Sequence, residues 1–98
     1  MTITTDLTDN KYTISPVGRV DTNTAPALQD AVAALPEGAD TLILDFDGVE
    51  YISSAGLRVL LSSQKHMNDI GEMSLINVRP EVKEVLDITG FSDILIIR

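Results

Sequence analysis

The stretch Asp45–Leu61, DFDGVEYISSAGLRVLL, constrains the chain most, because it runs from an apolar strand through an acidic loop into an amphipathic helix. The strand side, Thr41–Phe46 (TLILDF), is mostly apolar without alternation. That pattern predicts a strand covered on both faces by helices, in a parallel or mixed sheet. Taking Leu57 as reference at about 100° per residue, Leu60, Leu61, Met67 and Ile70 fall with Gly56 and Ser63 in one stripe. Arg58, Ser62, Lys65 and Asp69 lie opposite, so the stripe is expected to pack on the sheet.

The flanking segments extend this alternation of elements. Ile3, Thr5 and Leu7 alternate, Thr8-Asp9-Asn10-Lys11 supplies turn chemistry, and Tyr12, Ile14 and Val17 resume the apolar pattern, which predicts a hairpin over Met1–Val20. Pro16 has no N–H for a ladder, so the second strand is expected at an edge or bulged there, with Gly18 relaxing the backbone just beyond. Asp21–Thr24 is rich in cap formers, and Pro26 suits the first turn of a helix whose Leu28, Ala31, Val32 and Leu35 share a face. Pro36-Glu37-Gly38 ends that helix. Beyond the central block, Met73, Leu75, Ile76 and Val78 predict a strand, Pro80 opens a helix that Gly90 closes, and Ile94–Ile97 reads as a buried strand. The order predicts the α/β class, with a single mixed sheet packed with helices.

Ninety-eight residues, 44 % of them hydrophobic, suit one domain over residues 1–98 with one small core. The chain has no cysteine, which excludes a disulfide framework or a thiolate metal site, and no apolar run of membrane length. With no signal peptide legible, a cytoplasmic location is expected. Seven basic against fifteen acidic residues give a formal charge of −8, which disfavours nucleic acid and anionic membrane and favours a partner with a basic patch.

Ser53 and Ser54 stand at the entrance of the central helix, where a hydroxyl can accept from the first free N–H groups as an ordinary N-cap. The same N-terminus, with its unpaired donors and positive dipole end, also accommodates a phosphate on one of the two serines. Catalysis has little support. The nucleophile-elbow spacing G-x-S-x-G is absent around Ser54, and the lone histidine, His66, lies about three turns down the helix on its solvent side. No Walker-type loop is present for a nucleotide cofactor. Asp45, Asp47 and Glu50 lack the ligand pattern of a calcium loop and read as a solvated acidic loop rather than a metal site. No catalytic residue, metal ligand or cofactor is therefore assigned.

Three blocks, GRVDTNTA (Gly18–Ala25), LILDFDGVEYISSAGLRVLL (Leu42–Leu61) and NVRPEVKEVLDITGF (Asn77–Phe91), resemble the signature blocks of the STAS domain in the small stand-alone form of bacterial anti-sigma-factor antagonists. The match keeps the family's order and spacing over nearly the whole chain. In that family the serine two residues before the glycine is phosphorylated by a partner anti-sigma factor that is also a serine kinase, and a PP2C-type phosphatase reverses the modification. By position this is Ser54, with Ser53, which stands where the family often has Asp, as the competing hydroxyl. The resemblance implies a partner-binding surface of Asp21, Asp47, Ser53, Ser54, Ala55 and Gly56; by their charge, Asp21, Asp47 and Glu50 would form an acidic rim that helps capture the partner. It implies a switch in which the unphosphorylated protein binds the anti-sigma factor and releases the sigma factor, while the phosphorylated protein cannot bind. Many members continue with another helix where this chain stops at Arg98. A STAS subunit of a transporter or another signalling complex is the alternative within the fold, and a small hydrolase the alternative outside it.

Overall fold

The computed structural model describes residues 1–98. Strand β1 (Thr2–Thr8) and strand β2 (Lys11–Val20) form the expected antiparallel hairpin, with Thr8 paired to Lys11 across a two-residue turn in which Asp9 has φ +55°. Asp is among the few residues that take this left-handed conformation at small cost. Helix α1 (Ala25–Ala33) follows, then β3 (Thr41–Asp45), β4 (Gly48–Ile52), α2 (Ser54–Asn68), β5 (Glu72–Ile76), α3 (Pro80–Ile88), a 3₁₀ turn over Phe91–Asp93 and β6 (Ile96–Ile97). Pro26 and Pro80 occupy first-turn helix positions, where a missing N–H costs no bond. Gly90, at φ +80°, ends α3 in the left-handed region, as expected of a C′ residue.

The sheet has the order β1-β2-β3-β5-β6, antiparallel between β1 and β2 and parallel elsewhere, and β4 pairs with β2 beyond the end of β3. Every parallel crossover advances in the same direction, and right-handed crossovers of that kind deliver their helices to the same face. Register and burial agree. Tyr12 and Ile14 of β2 lie opposite Leu42 and Leu44 of β3, which lie opposite Met73 and Leu75 of β5, and all six are buried. On the other face Ser74 is buried, but its register partners Ile43 and Ile96, and Thr13 beyond, remain half-buried or exposed. The expectation of helices on both faces of Thr41–Phe46 is therefore corrected: Leu42, Leu44 and Phe46 are fully buried, whereas Thr41, Ile43 and Asp45 are only half-buried.

Four further expectations change. Residues 48–52, read as part of an acidic loop, form β4, whose Val49 and Ile52 point into the core while Glu50 and Tyr51 point out. Pro16 is neither at an edge nor at the bulge itself. It falls in the gap where β2 exchanges one partner for another, since β3 pairs through Ile14 and β4 begins at Val17, and the register irregularity comes at Gly18/Arg19. On that side the missing donor meets no ladder, while across the hairpin Pro16 stays in register with Ile3, and Pro16 rather than Val17 continues the buried alternation. The buried stripe of α2 is Gly56, Val59, Leu60, Ser63, Gln64 and Met67, while Leu57 and Leu61 are half-buried and Ile70 is exposed. Finally, only Ile96–Ile97 of the stretch Ile94–Ile97 forms a strand, at the sheet edge, and of the four residues Leu95 is buried while Ile94 and Ile96 are exposed.

The helices and the sheet close over one cluster of twenty buried apolar residues. At about 25 cal/mol per Å² such burial is the main stabilising term, and its tightest points are set by glycine. A Cβ on Gly71 would lie 1.8 Å from the Asp40 carbonyl oxygen, so the chain leaving α2 can pass the start of β3 only without a side chain.

Candidate functional site

Parallel pairing of β2 with β4 creates the site. Val20 and Ile52 are register partners, and the Ser53 N–H extends the ladder by donating to the Val20 carbonyl at 2.8 Å. Asp21 and Ser53 therefore leave neighbouring strand ends side by side, and the loop before α1 shares one end of the molecule with the entrance of α2. Gly56 allows this closeness. A Cβ there would sit 2.6 Å from Ile52 Cγ1 and 2.7 Å from Val20 Cγ1, so α2 rests directly on both strand ends.

The two serines differ sharply. Ser53 takes the N-cap position with extended backbone (φ −98°, ψ 178°), yet its hydroxyl makes no cap bond and is buried without a partner. An ordinary cap would bond a first-turn amide. Ser54, the first helical residue, is exposed. The helix ladder begins with the Leu57 N–H donating to the Ser53 carbonyl at 2.9 Å, which leaves the amides of Ser54, Ala55 and Gly56 without intrahelical acceptors. The entrance of α2 thus combines an accessible hydroxyl with uncapped donors at the positive end of a fifteen-residue helix.

Asp21 organises the neighbouring turn. Its Oδ1 accepts the N–H groups of Asn23 at 3.0 Å and Thr24 at 3.1 Å, and its own N–H donates to the Thr24 hydroxyl at 2.9 Å. That hydroxyl in turn donates to the Arg19 carbonyl at 2.7 Å. Partial desolvation raises the Asp21 carboxyl, but the backbone donors of Thr24 and Asn23, the Thr24 hydroxyl and the Arg19 charge together hold it below its ordinary value. The Arg19 guanidinium approaches Asp21 Oδ2 at 3.8 Å and lies over the Tyr51 ring, 4.0 Å from its centroid. The sequence reading missed Arg19, Thr24 and Tyr51. Arg19 and Tyr51 meet only because β4 pairs with β2, and no local pattern announces that pairing.

Of the six residues expected at the partner surface, Asp21, Ser53, Ser54, Ala55 and Gly56 come together here, but Gly56 is buried against Ile52 and Val20 and acts as a spacer beneath the surface rather than as part of it. Asp47 does not join them. It precedes β4, a strand length of roughly 15–20 Å away from Ser53, and its carbonyl accepts from Arg79 Nε at 2.8 Å. Asp45 is occupied locally, accepting from the Asp47 N–H and from Asn77 Nδ2, each at 3.1 Å. Asp45, Asp47 and Glu50 do not converge into a group able to hold a metal ion. His66 is exposed and twelve residues along α2 from Ser54, about 18 Å away. It cannot reach the serine. The one-way winding of the sheet also provides no switch point of the kind that forms ligand crevices in doubly wound α/β proteins. No helix is long and apolar enough to cross a membrane.

Comparison with known proteins agrees with this architecture. BtrV of Bordetella bronchiseptica, named as an anti-sigma factor antagonist, is 36 % identical over 96 residues, covering 96 % of this chain and 83 % of BtrV. The crystal structure of an anti-sigma factor antagonist from Mycobacterium paratuberculosis superposes with a TM-score of 0.88 at 24 % identity, over 98 % of this chain and 83 % of that one. The Bacillus cell fate determinant SpoIIAA, solved in its phosphorylated form, superposes with a TM-score of 0.75 at 19 % identity, over 99 % of this chain and 91 % of its own. The STAS domain model matches residues 2–98, and the chain belongs to the STAS domain family.

Proposed function

We propose that this protein is an anti-sigma factor antagonist: unphosphorylated, it binds an anti-sigma factor that is also a serine kinase and so frees a sigma factor, and phosphorylation of Ser54 ends the interaction. The observation that carries the reading is the contrast between the two serines. Ser54 presents an exposed hydroxyl at the uncapped N-terminus of α2, whereas the Ser53 hydroxyl is buried. A kinase needs an accessible acceptor, and the amides of the first turn can hold the product's charge. The relationship to BtrV and the phosphorylated form of SpoIIAA support both halves of the reading.

A phosphate adds about −1.5 to −2 charges at neutral pH. Placed on the exposed hydroxyl of Ser54, beside Asp21 and Ala55, it blocks the partner by charge and bulk while leaving the core untouched. A phosphatase of the PP2C class restores binding. The role is regulatory rather than catalytic and requires no cofactor, and its expected location is the cytoplasm. Affinity capture from the native host on immobilised unmodified protein, followed by mass spectrometry, tests the partner. Recovery of an ATP-binding anti-sigma factor on wild type, and its loss on Ser54→Asp, is the expected result. Capture of transporter subunits instead would overturn the reading.

A further inference from the structure

A groove between α1 and α2 leads away from the serine loop. Its wider part, about 580 Å³, is lined by Thr22 from the turn before α1, by Pro26 and Gln29 from α1 and by Ala55, Arg58 and Ser62 from α2, over a floor of Ala25 and Val59. The Ser62 hydroxyl donates to Gln29 Oε1 at 2.9 Å across the groove. Beyond that bridge a second hollow of about 300 Å³ continues to Ala33 and His66. From Ala55 to His66 the groove follows eleven residues of α2, about 16 Å or three helical turns.

Its electrostatics run against those of the molecule. The chain carries fifteen acidic residues, yet none lines either hollow, and the ionisable residues that do are Arg58 and His66. Arg58 is exposed and takes part in none of the protein's three ion pairs. A small-residue floor, a three-turn length and an unpaired guanidinium at the rim match an amphipathic helix that lays apolar residues at i, i+3 or i+4, and i+7 into the groove and offers a carboxylate to Arg58.

We infer that the α1–α2 groove docks an acidic amphipathic helix of a partner protein, with Arg58 as its charge clamp. The inference rests on the shape and charge of the groove and not on the phosphorylation of Ser54, although the groove shares Ala55 with the surface around that serine. It also runs counter to the attraction of basic partners that the net charge of −8 suggests.

The test is an NMR titration of the full ¹⁵N-labelled chain with two synthetic sixteen-residue amphipathic helices that share one leucine stripe, flanked by glutamate in one and lysine in the other. The glutamate peptide should saturably shift the amides of Gln29, Ala55, Arg58 and Ser62, and more strongly at low salt. Arg58→Glu, a change at an exposed position, should weaken it about tenfold and improve the lysine peptide. Ser62→Phe, which fills the groove, should block both, with unchanged circular dichroism showing that each variant is folded. Tighter binding by the lysine peptide to wild type, shifts confined to another surface, or no shift at millimolar peptide would overturn the inference. So would a dimer of the free chain that Ser62→Phe dissolves, because the occupant would then be a second copy.

Discussion

The Ser53 N–H donates to the Val20 carbonyl at 2.8 Å, and this one bond joins the end of β4 to the end of β2 and sets the entrance of α2 beside the Asp21 turn. The geometry of the proposed switch depends on that junction. Gly56 is its tightest contact, because any Cβ there meets Ile52 and Val20 below 3 Å. Gly56→Ala should cost about 1–3 kcal/mol through overpacking, and Gly56→Val more. Urea denaturation measures it, and a wild-type midpoint for Gly56→Ala would show that the strand ends yield easily.

Ser53 should break the usual rule for its position. Removing an N-cap side chain normally costs about 1 kcal/mol, but the Ser53 hydroxyl caps nothing and is buried unpaired. Ser53→Ala removes a buried polar group without a partner and should leave stability unchanged or raise it slightly. A loss of about 1 kcal/mol in thermal or chemical unfolding would mean that the hydroxyl caps the helix in solution.

Gly71→Ala should be among the most damaging single-methyl changes in the chain. The obstacle is the Asp40 carbonyl oxygen, 1.8 Å from the added carbon, and backbone cannot swing aside as a side chain can. A destabilisation of at least about 2–3 kcal/mol is expected. Soluble expression with a near-native melting curve would contradict it.

Acid should weaken the Asp21 turn in a definite direction. The folded-state carboxyl lies below its ordinary value of 3.8, so the stability it contributes is present above that value and is lost as pH falls through the lower folded value. Asp21→Asn keeps an acceptor for the Asn23 and Thr24 amides but not the charge. The stability difference between wild type and Asp21→Asn should shrink as pH drops below about 4, and carbon-detected NMR should show the Asp21 carboxyl titrating below the ordinary aspartate value. A larger difference in acid would reverse the assignment.

Much of this architecture is legible in local chemistry. Asp9-Asn10 marks the hairpin turn, Pro26 and Pro80 mark helix starts, and Gly90 marks a helix end, because each residue type suits a backbone geometry that does not depend on distant partners. What escaped the sequence depends on tertiary pairing. Gly48–Ile52 has two inward residues, Val49 and Ile52, separated by Glu50 and Tyr51, which is too short and irregular for a period-two signal. Without β4 there is no way to infer that Arg19 stacks on Tyr51 or that Pro16 falls in a gap between partners. Burial of one face also escaped, since apolar Ile43 looks the same in sequence whether a helix covers it or not. The serine pair stands out in the sequence, but only the fold distinguishes the exposed hydroxyl from the buried one.

The acidic rim divides along the same lines. Asp21 adjoins Ser53, while Asp47 sits a strand length away beside Arg79. Asp21→Asn should slow association with the anti-sigma factor and flatten its salt dependence, whereas Asp47→Asn should leave the association rate unchanged. Surface plasmon resonance at two ionic strengths separates these outcomes, and a slower rate for Asp47→Asn alone would move the interface to the opposite end of β4.

Phosphopeptide mapping after incubation with the cognate kinase and ATP tests the switch most directly, using wild type, Ser53→Ala and Ser54→Ala, with partner affinity measured before and after. The account predicts one phosphate on Ser54 in wild type and Ser53→Ala, with loss of binding and an unchanged fold, and none on Ser54→Ala, which stays competent to bind. A phosphate on Ser53, or modification that leaves binding intact, would contradict it.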